Sequence, residues 1–145
     1  MFHGSAQLNL DSKGRLAIPA KYRDALMASC AGRLVVTADP DRCLLVYPQQ
    51  EWEPIQKKLM GLSSFNPKTR ALQRLLVGYA EGVEMDGAGR ILLPSTLREY
   101  AGLEKRVVLA GQGNRLELWE EAAWFGQAVG SLEEGIPAEL EGFSL

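Results

Sequence analysis

Asp11-Ser12-Lys13-Gly14-Arg15-Leu16-Ala17-Ile18-Pro19 recurs 75 residues later as Asp86-Gly87-Ala88-Gly89-Arg90-Ile91-Leu92-Leu93-Pro94. Asp, Gly, Arg and Pro hold identical offsets in both copies, and the three residues between Arg and Pro are apolar each time. An internal repeat is read before any local feature, because it decides how the rest of the chain divides. The likeness continues downstream. Tyr22-Arg23 corresponds to Leu97-Arg98, and Val35-Val36 lies near the equivalent of Val107-Val108. Leu44-Leu45-Val46-Tyr47 followed by Trp52 corresponds to Leu116-Glu117-Leu118-Trp119 followed by Trp124, now at an offset of 72. The second unit is therefore three residues shorter, and the chain is two like-built halves.

Each half has a coherent local physics. Ala6 to Leu10 alternates apolar and polar residues and reads as a half-buried strand, as does Val83-Glu84-Met85 before the second motif. Asp at the first position and Gly at the fourth suit a type I turn: the carboxylate accepts backbone amides ahead of it, and glycine takes the left-handed conformation. Asp11, Gly14, Asp86 and Gly89 are thus structural turn residues, and each motif reads as strand, turn, strand. Arg15 and Arg90 follow the turn directly, at the mouth of the returning strand. Pro19 and Pro94 end those strands at the threshold of a helix, where a missing amide proton costs little. The spacing predicts a helix over Ala20 to Ser29 with Tyr22, Ala25, Leu26 and Ser29 on one side, and a shorter one over Ser95 to Tyr100 capped by Ser95 or Thr96. Asp39-Pro40-Asp41 and Gly111-Gln112-Gly113-Asn114 mark turns between paired strands, which gives two hairpins and a short helix per half.

Between the halves, 51 to 62 and 67 to 80 have helical spacing. Trp52, Ile55, Leu59 and Leu62 form one stripe, Leu72, Leu75, Leu76 and Tyr79 the other, and the two helices are expected to pack together. Asn66 is a candidate cap with Pro67 at the first helical position. Lys68, Arg70 and Arg74 fall on the second helix as a solvated face. Residues 131 to 145 hold Glu133, Glu134, Glu139 and Glu141 among Gly135, Pro137 and Gly142, show no period, and are expected to be mobile.

The chain has 145 residues, 46% hydrophobic and 23% charged, enough for one compact domain or two half-domains. No stretch approaches a spanning helix, and the opening Met1 to Gln7 has no basic segment followed by an apolar run; a soluble, unexported protein is expected. Cys30 and Cys43 make no CxxC pair and have one histidine, His3, to accompany them, which excludes a cysteine-and-histidine zinc site. His3 is placed near a flexible end, and the cysteines read as small buried hydrophobes. There is no phosphate-cradling glycine motif, no nucleophile beside a base and no metal cluster, so neither an enzyme nor a cofactor or small-molecule substrate is expected. Asp11 and Asp86 could pair as acid and base, but turn formation accounts for both.

The net charge of −2 conceals a gradient. Residues 1 to 70 carry 10 Lys and Arg against 6 Asp and Glu, giving +4; residues 71 to 145 carry 6 against 12, giving −6. One cationic face on an acidic particle is compatible with this, as is a mixed solvated surface. Lys13, Arg15, Lys21 and Arg23 gather around the first turn, where a hairpin tip could enter a groove, meet phosphates and read a guanine edge. The second copy keeps Arg90 but has Ala88 in place of Lys13. The alternative for Arg15 and Arg90 is an ion pair with Asp11 or Asp86 that only stabilises the turn.

At these residues the chain resembles the MraZ family of bacterial transcriptional regulators, of the AbrB-like, swapped-hairpin superfamily. The match covers Met1-Phe2 with Gly4, Asn9-Leu10-Asp11, Lys13-Gly14-Arg15, Pro19, Tyr22-Arg23, Asp86, Gly89-Arg90 and Pro94, and is collinear to about Gln127. The resemblance implies an α+β, mainly β fold: a pseudo-twofold, duplicated swapped-hairpin β-barrel with flanking helices. On it, 1–50 is the first AbrB-like repeat, 51–80 a connecting helical hairpin, 81–127 the second repeat and 128–145 a flexible acidic tail. It implies a sequence-specific DNA-binding regulator, a repressor by family habit, of the division and cell-wall gene cluster including its own promoter. The partners implied are double-stranded DNA at short direct repeats and further copies of the chain in a closed ring, an octamer or dodecamer, in the cytoplasm at the nucleoid and without a membrane. Lys13, Arg15 and Arg90 match the family's DNA-contacting positions. His3 departs from the arginine common there, and a histidine in its place weakens whatever that arginine contributes to DNA or to the ring. An AbrB-like antitoxin or protein-interaction module is the competing reading, although such proteins usually have one hairpin unit and a long partner-binding tail.

Overall fold

The structure is a computed structural model that describes residues 1–130, 132 and 135–144. Its strands are β1 (Ser5–Asn9), β2 (Arg15–Ala17), β3 (Arg33–Ala38), β4 (Leu44–Pro48), β5 (Glu81–Glu84), β6 (Arg90–Leu92), β7 (Arg106–Gly111) and β8 (Leu116–Glu120). Helices are α1 (Ala20–Cys30), α2 (Gln49–Met60), α3 (Pro67–Leu76) and α4 (Ser95–Tyr100). A helical turn, Glu121–Ala123, then runs into a π-helical segment, Trp124–Ala128.

Six strands form an antiparallel sheet in the order β1-β7-β8-β4-β3-β5, and β2 pairs with β6 in a separate two-stranded ribbon. The order is a palindrome about the β8-β4 junction. Each half contributes three strands to the sheet, but the first strand of each half has crossed over: β1 pairs with β7, and β5 with β3. The ribbon is likewise one strand from each half, with Leu16 opposite Ile91 at its centre. This is an interlaced α+β, mainly β fold. The sheet and ribbon together enclose the core, and the two sheet edges β1 and β5 lead through the Asp turns into the ribbon. The expectation of two hairpins per half is corrected in one respect. β3-β4 and β7-β8 are hairpins, whereas the strands flanking each Asp turn pair with the opposite half rather than with each other. A lone two-stranded hairpin is marginal in water; here both ribbon strands are held over the core shared with the sheet, Leu16 and Ile91 being buried in it.

Alternation decides what faces the inside. Leu16, Ile18, Ile91 and Leu93 from the ribbon meet Leu34, Val36, Leu44, Val46, Val107, Leu109, Leu116 and Leu118 from the sheet, all buried. Helices α1 and α4 close this core with Tyr22, Leu26 and Leu97. Ala25 and Ser29, expected on the inner side of α1, are exposed, because only Tyr22, Leu26 and Cys30 complete the i, i+4 stripe that reaches the sheet. Proline occupies the cap position of both helices, Pro19 for α1 and Pro94 for α4, without a side-chain cap, so Ser95 and Thr96 lie within the helix and not at its cap.

The other face of the sheet carries a second cluster of Cys43, Leu45, Tyr47, Trp52 and Trp119, against which Ile55, Leu59, Leu76 and Val77 of the α2–α3 region pack. Thr37, fully buried, donates its hydroxyl proton to the Leu76 carbonyl and ties the end of α3 to the sheet. Leu62 lies beyond α2 and is exposed, which shortens the expected stripe. Asn66 caps α3 by accepting the Lys68 amide, with Pro67 at the first position. The N-terminus is pinned: Phe2 and Gly113 exchange two backbone hydrogen bonds, and the Tyr22 hydroxyl donates to the carbonyls of His3 and Gly4. His3 is therefore held by its backbone, contrary to the expected loose end. Glu133 and Glu134 of the acidic tail lie outside the described residues; Ala138–Leu140 forms one turn of 3₁₀ helix. Among the described residues no helix is long and apolar enough to cross a membrane.

Candidate nucleic-acid interface

The two Asp turns are built alike. Asp11 Oδ1 accepts the backbone N–H groups of Lys13 at 2.9 Å and Arg15 at 2.8 Å, while the Gly14 amide donates to the Asp11 carbonyl at 3.0 Å. In the second turn, Asp86 Oδ1 accepts from Ala88 and Arg90, both at 2.9 Å, and the Gly89 amide donates to the Asp86 carbonyl at 2.9 Å. Gly14 and Gly89 sit at φ +83° and +75°, where a side chain would strain the backbone. The Asp11 carboxyl is held at about 2, chiefly by the Arg15 backbone N–H and further by the Arg15 guanidinium and the Lys13 amide. Asp86 is lowered by the corresponding partners, the Arg90 backbone N–H first.

The remaining carboxylate oxygen anchors the arginine. Arg15 Nε donates to Asp11 Oδ2 at 2.6 Å and Arg90 Nε to Asp86 Oδ2 at 3.1 Å. The ion pairs of the alternative reading therefore exist, but each uses Nε. The terminal guanidinium nitrogens of both arginines make no hydrogen bond among the described residues, which leaves the outer end of each fork available to a ligand. Because these pairs are exposed, they contribute little to stability and much to orientation.

The ribbon register sets their mutual position. Arg15 lies opposite Leu92 and Ala17 opposite Arg90. Directly paired residues share a face, and Leu16 and Ile91 occupy the inner one. Arg15, Ala17, Arg90 and Leu92 therefore form an outward-facing patch with the arginines at diagonal corners. Lys13 is exposed on the first turn beside Arg15. Lys13, Arg15 and Arg90 are thus brought to one outer surface. Asp11, Gly14, Asp86 and Gly89 shape the turns beneath it.

Two further arginines lie against the turns. Arg98 was not singled out by the sequence, and the expectation that Arg23 and Lys21 gather around the first turn is corrected, since Arg23 lies at the second turn and Lys21 Nζ donates to the Ser5 carbonyl at 3.3 Å. Arg98 of α4 lies across Gly14 of the first turn, and Arg23 of α1 lies across Gly89 of the second. Their signal was in the repeat itself, where arginine recurs at Arg23 and Arg98 although the residue before it changes from Tyr22 to Leu97.

Comparison with known proteins agrees with this architecture. The family model described as "MraZ protein, putative antitoxin-like" matches twice in tandem, at residues 1–75 and 76–134. The chain belongs to the MraZ family of transcriptional regulators. It is 64% identical to the transcriptional regulator MraZ of Nitrosomonas eutropha, over the whole of both chains. Identity is 60% to that of Thiobacillus denitrificans and 62% to that of Nitrosomonas europaea, again over the full length of each. The double match of the MraZ model gives an independent account of the two halves whose strands interlace.

Proposed function

We propose that the protein is a DNA-binding transcriptional regulator that represses the bacterial division and cell-wall gene cluster, its own promoter included, by binding short direct repeats as a ring homo-oligomer. It acts in the cytoplasm at the nucleoid. Lys13, Arg15 and Arg90 carry the contact with double-stranded DNA. The observation that carries the reading is the pair of arginines on one exposed ribbon face, each steadied at Nε by its own turn and each with its terminal nitrogens unengaged among the described residues. A guanidinium fixed in this way loses less freedom on binding and suits a guanine edge or a phosphate. Lys13 adds a phosphate contact and the counterion release that goes with it.

One ribbon holds few cations and binds weakly alone. Several ribbons on a ring raise the effective concentration for each later contact, and head-to-tail subunits repeat along DNA as direct repeats do. The test is a gel-shift titration of the upstream region at several salt concentrations. Arg15→Ala and Arg90→Ala each weaken binding about tenfold or more, and a one-repeat fragment binds far less tightly than a multi-repeat one. Unchanged binding in both variants, or equal affinity for one repeat and several, overturns the proposal.

A further inference from the structure

We propose that Arg98 and Arg23 are crossed positioning residues: the arginine of each half holds the turn of the other half in the geometry that presents its DNA-contacting arginine. The inference rests on the DNA-binding reading for its affinity test but not for its structural one.

Three observations carry it. A Cβ on Gly14 would lie 2.7 Å from Nε and Cζ of Arg98, and one on Gly89 would overlap Nε of Arg23, so each guanidinium occupies the space that a side chain on the opposite half's glycine would need. Each arginine is fixed in turn by the carbonyl that precedes its own helix-starting proline. Arg98 Nε donates to Leu93 O at 3.1 Å, and Arg23 donates to Ile18 O from Nε at 3.2 Å and from a terminal nitrogen at 2.8 Å. The residues whose carbonyls receive these bonds also bond the opposite turn: the Leu93 N–H donates to Gly14 O at 3.0 Å and the Ile18 N–H to Gly89 O at 2.9 Å. Arginine, strand end and opposite glycine therefore form one connected unit on each side of the pseudo-twofold. The glycine of each motif meets two separate demands, its left-handed backbone and the planar group on it. Lysine has neither the planar face nor an Nε–H to satisfy the carbonyl while lying over the glycine.

The arrangement predicts coupling that crosses between halves. In a double-mutant cycle, Arg98→Ala lowers DNA affinity about tenfold in the parent and in Arg90→Ala, and has no further effect once Arg15 is already alanine. Arg23→Ala couples to Arg90→Ala and is additive with Arg15→Ala. Arg98→Lys, which keeps the charge, behaves as Arg98→Ala. Hydrogen exchange on the free protein gives a readout without DNA: in Arg98→Ala the Lys13 and Arg15 amides exchange faster while those of Ala88 and Arg90 do not, and Arg23→Ala shows the reverse. Rescue by lysine, coupling within a half, or equal loss of protection in both turns would overturn the inference. Loss of specific DNA binding by the parent protein would instead overturn the functional reading and leave the exchange pattern as the deciding measurement.

Discussion

The two turns share one backbone and differ in what they present. Both are closed by an aspartate that accepts two amides and an arginine Nε, and both hold glycine at a left-handed φ. The first has Lys13 where the second has Ala88, and its ion pair is tighter, 2.6 Å against 3.1 Å. The turn chemistry is thus fixed by geometry and kept in both halves, whereas the surplus charge of Lys13 is not required by the turn and is placed in one. On the proposed DNA-binding reading the first turn makes the stronger electrostatic contact and the second the weaker, on an otherwise symmetric frame.

The largest way to break the symmetry-related frame is at its centre. Leu16 and Ile91 face each other across the ribbon and are both fully buried. Leu16→Ala and Ile91→Ala are each expected to cost about 2–5 kcal/mol, and by similar amounts, because each empties the same space under both turns. Denaturant midpoints check this, and losses below about 1 kcal/mol would show that the ribbon is not part of the core. Next in size are the glycines. Gly14→Ala and Gly89→Ala must place a side chain at positive φ, at a cost of about 1–2 kcal/mol, and must also displace an arginine from the other half. Gly89→Ala is expected to be the worse, since the approach of Arg23 is closer. Smaller again is the charge difference itself. Ala88→Lys should steepen the salt dependence of DNA binding by roughly one unit of slope and Lys13→Ala should flatten it by as much per subunit engaged, with little change in stability. No change in slope for either would mean that position 13 does not face phosphate.

Much of this frame is legible in the sequence. The repeated Asp, Gly, Arg and Pro specified two turns, two returning strands and two helix starts, because each residue type has a conformational reason to stand at its offset. The aromatics that the repeat aligns five residues apart are also in contact within each half: Tyr47 and Trp52 lie 5.5 Å apart between ring centres, Trp119 and Trp124 6.3 Å. What single-strand periodicity could not carry was the choice of partner. The pattern of β1 is the same whether it pairs with β2 or with β7, so the exchange of first strands came from the resemblance and not from the residues. Arg98 was hidden and the sequence placed Arg23 at the wrong turn for the same reason, since each lies against the turn of the opposite half, far from it in the sequence. Ala25, Ser29 and Leu62 failed for a different reason: a helical stripe locates a face, but only the neighbouring sheet decides how far along it burial extends.

The smallest effect separates the turns by acid. In the folded chain the Asp11 carboxyl is held at about 2, below its ordinary value of 3.8, first by the Arg15 amide. Asp86 is lowered from the same ordinary value by the Arg90 amide. A carboxylate whose folded pKa is depressed binds its proton more readily in the unfolded chain, so its contribution is complete above about pH 4 and disappears as the pH falls through the folded value near 2. The first turn therefore weakens on acidification within that window, and the lowered Asp86 carboxyl weakens the second in the same direction. Asparagine keeps the acceptor for the two amides but does not titrate and cannot pair with the arginine. Asp11→Asn should accordingly lower stability slightly at neutral pH and shrink the loss of stability between about pH 4 and 2. The shorter Arg15 pair makes Asp11→Asn the larger of the two effects, with Asp86→Asn following it in sign. Denaturant melts across that range decide the matter, and an acid slope in Asp11→Asn as steep as the parent's would show that the tighter pair gives the first turn no additional hold on its carboxylate.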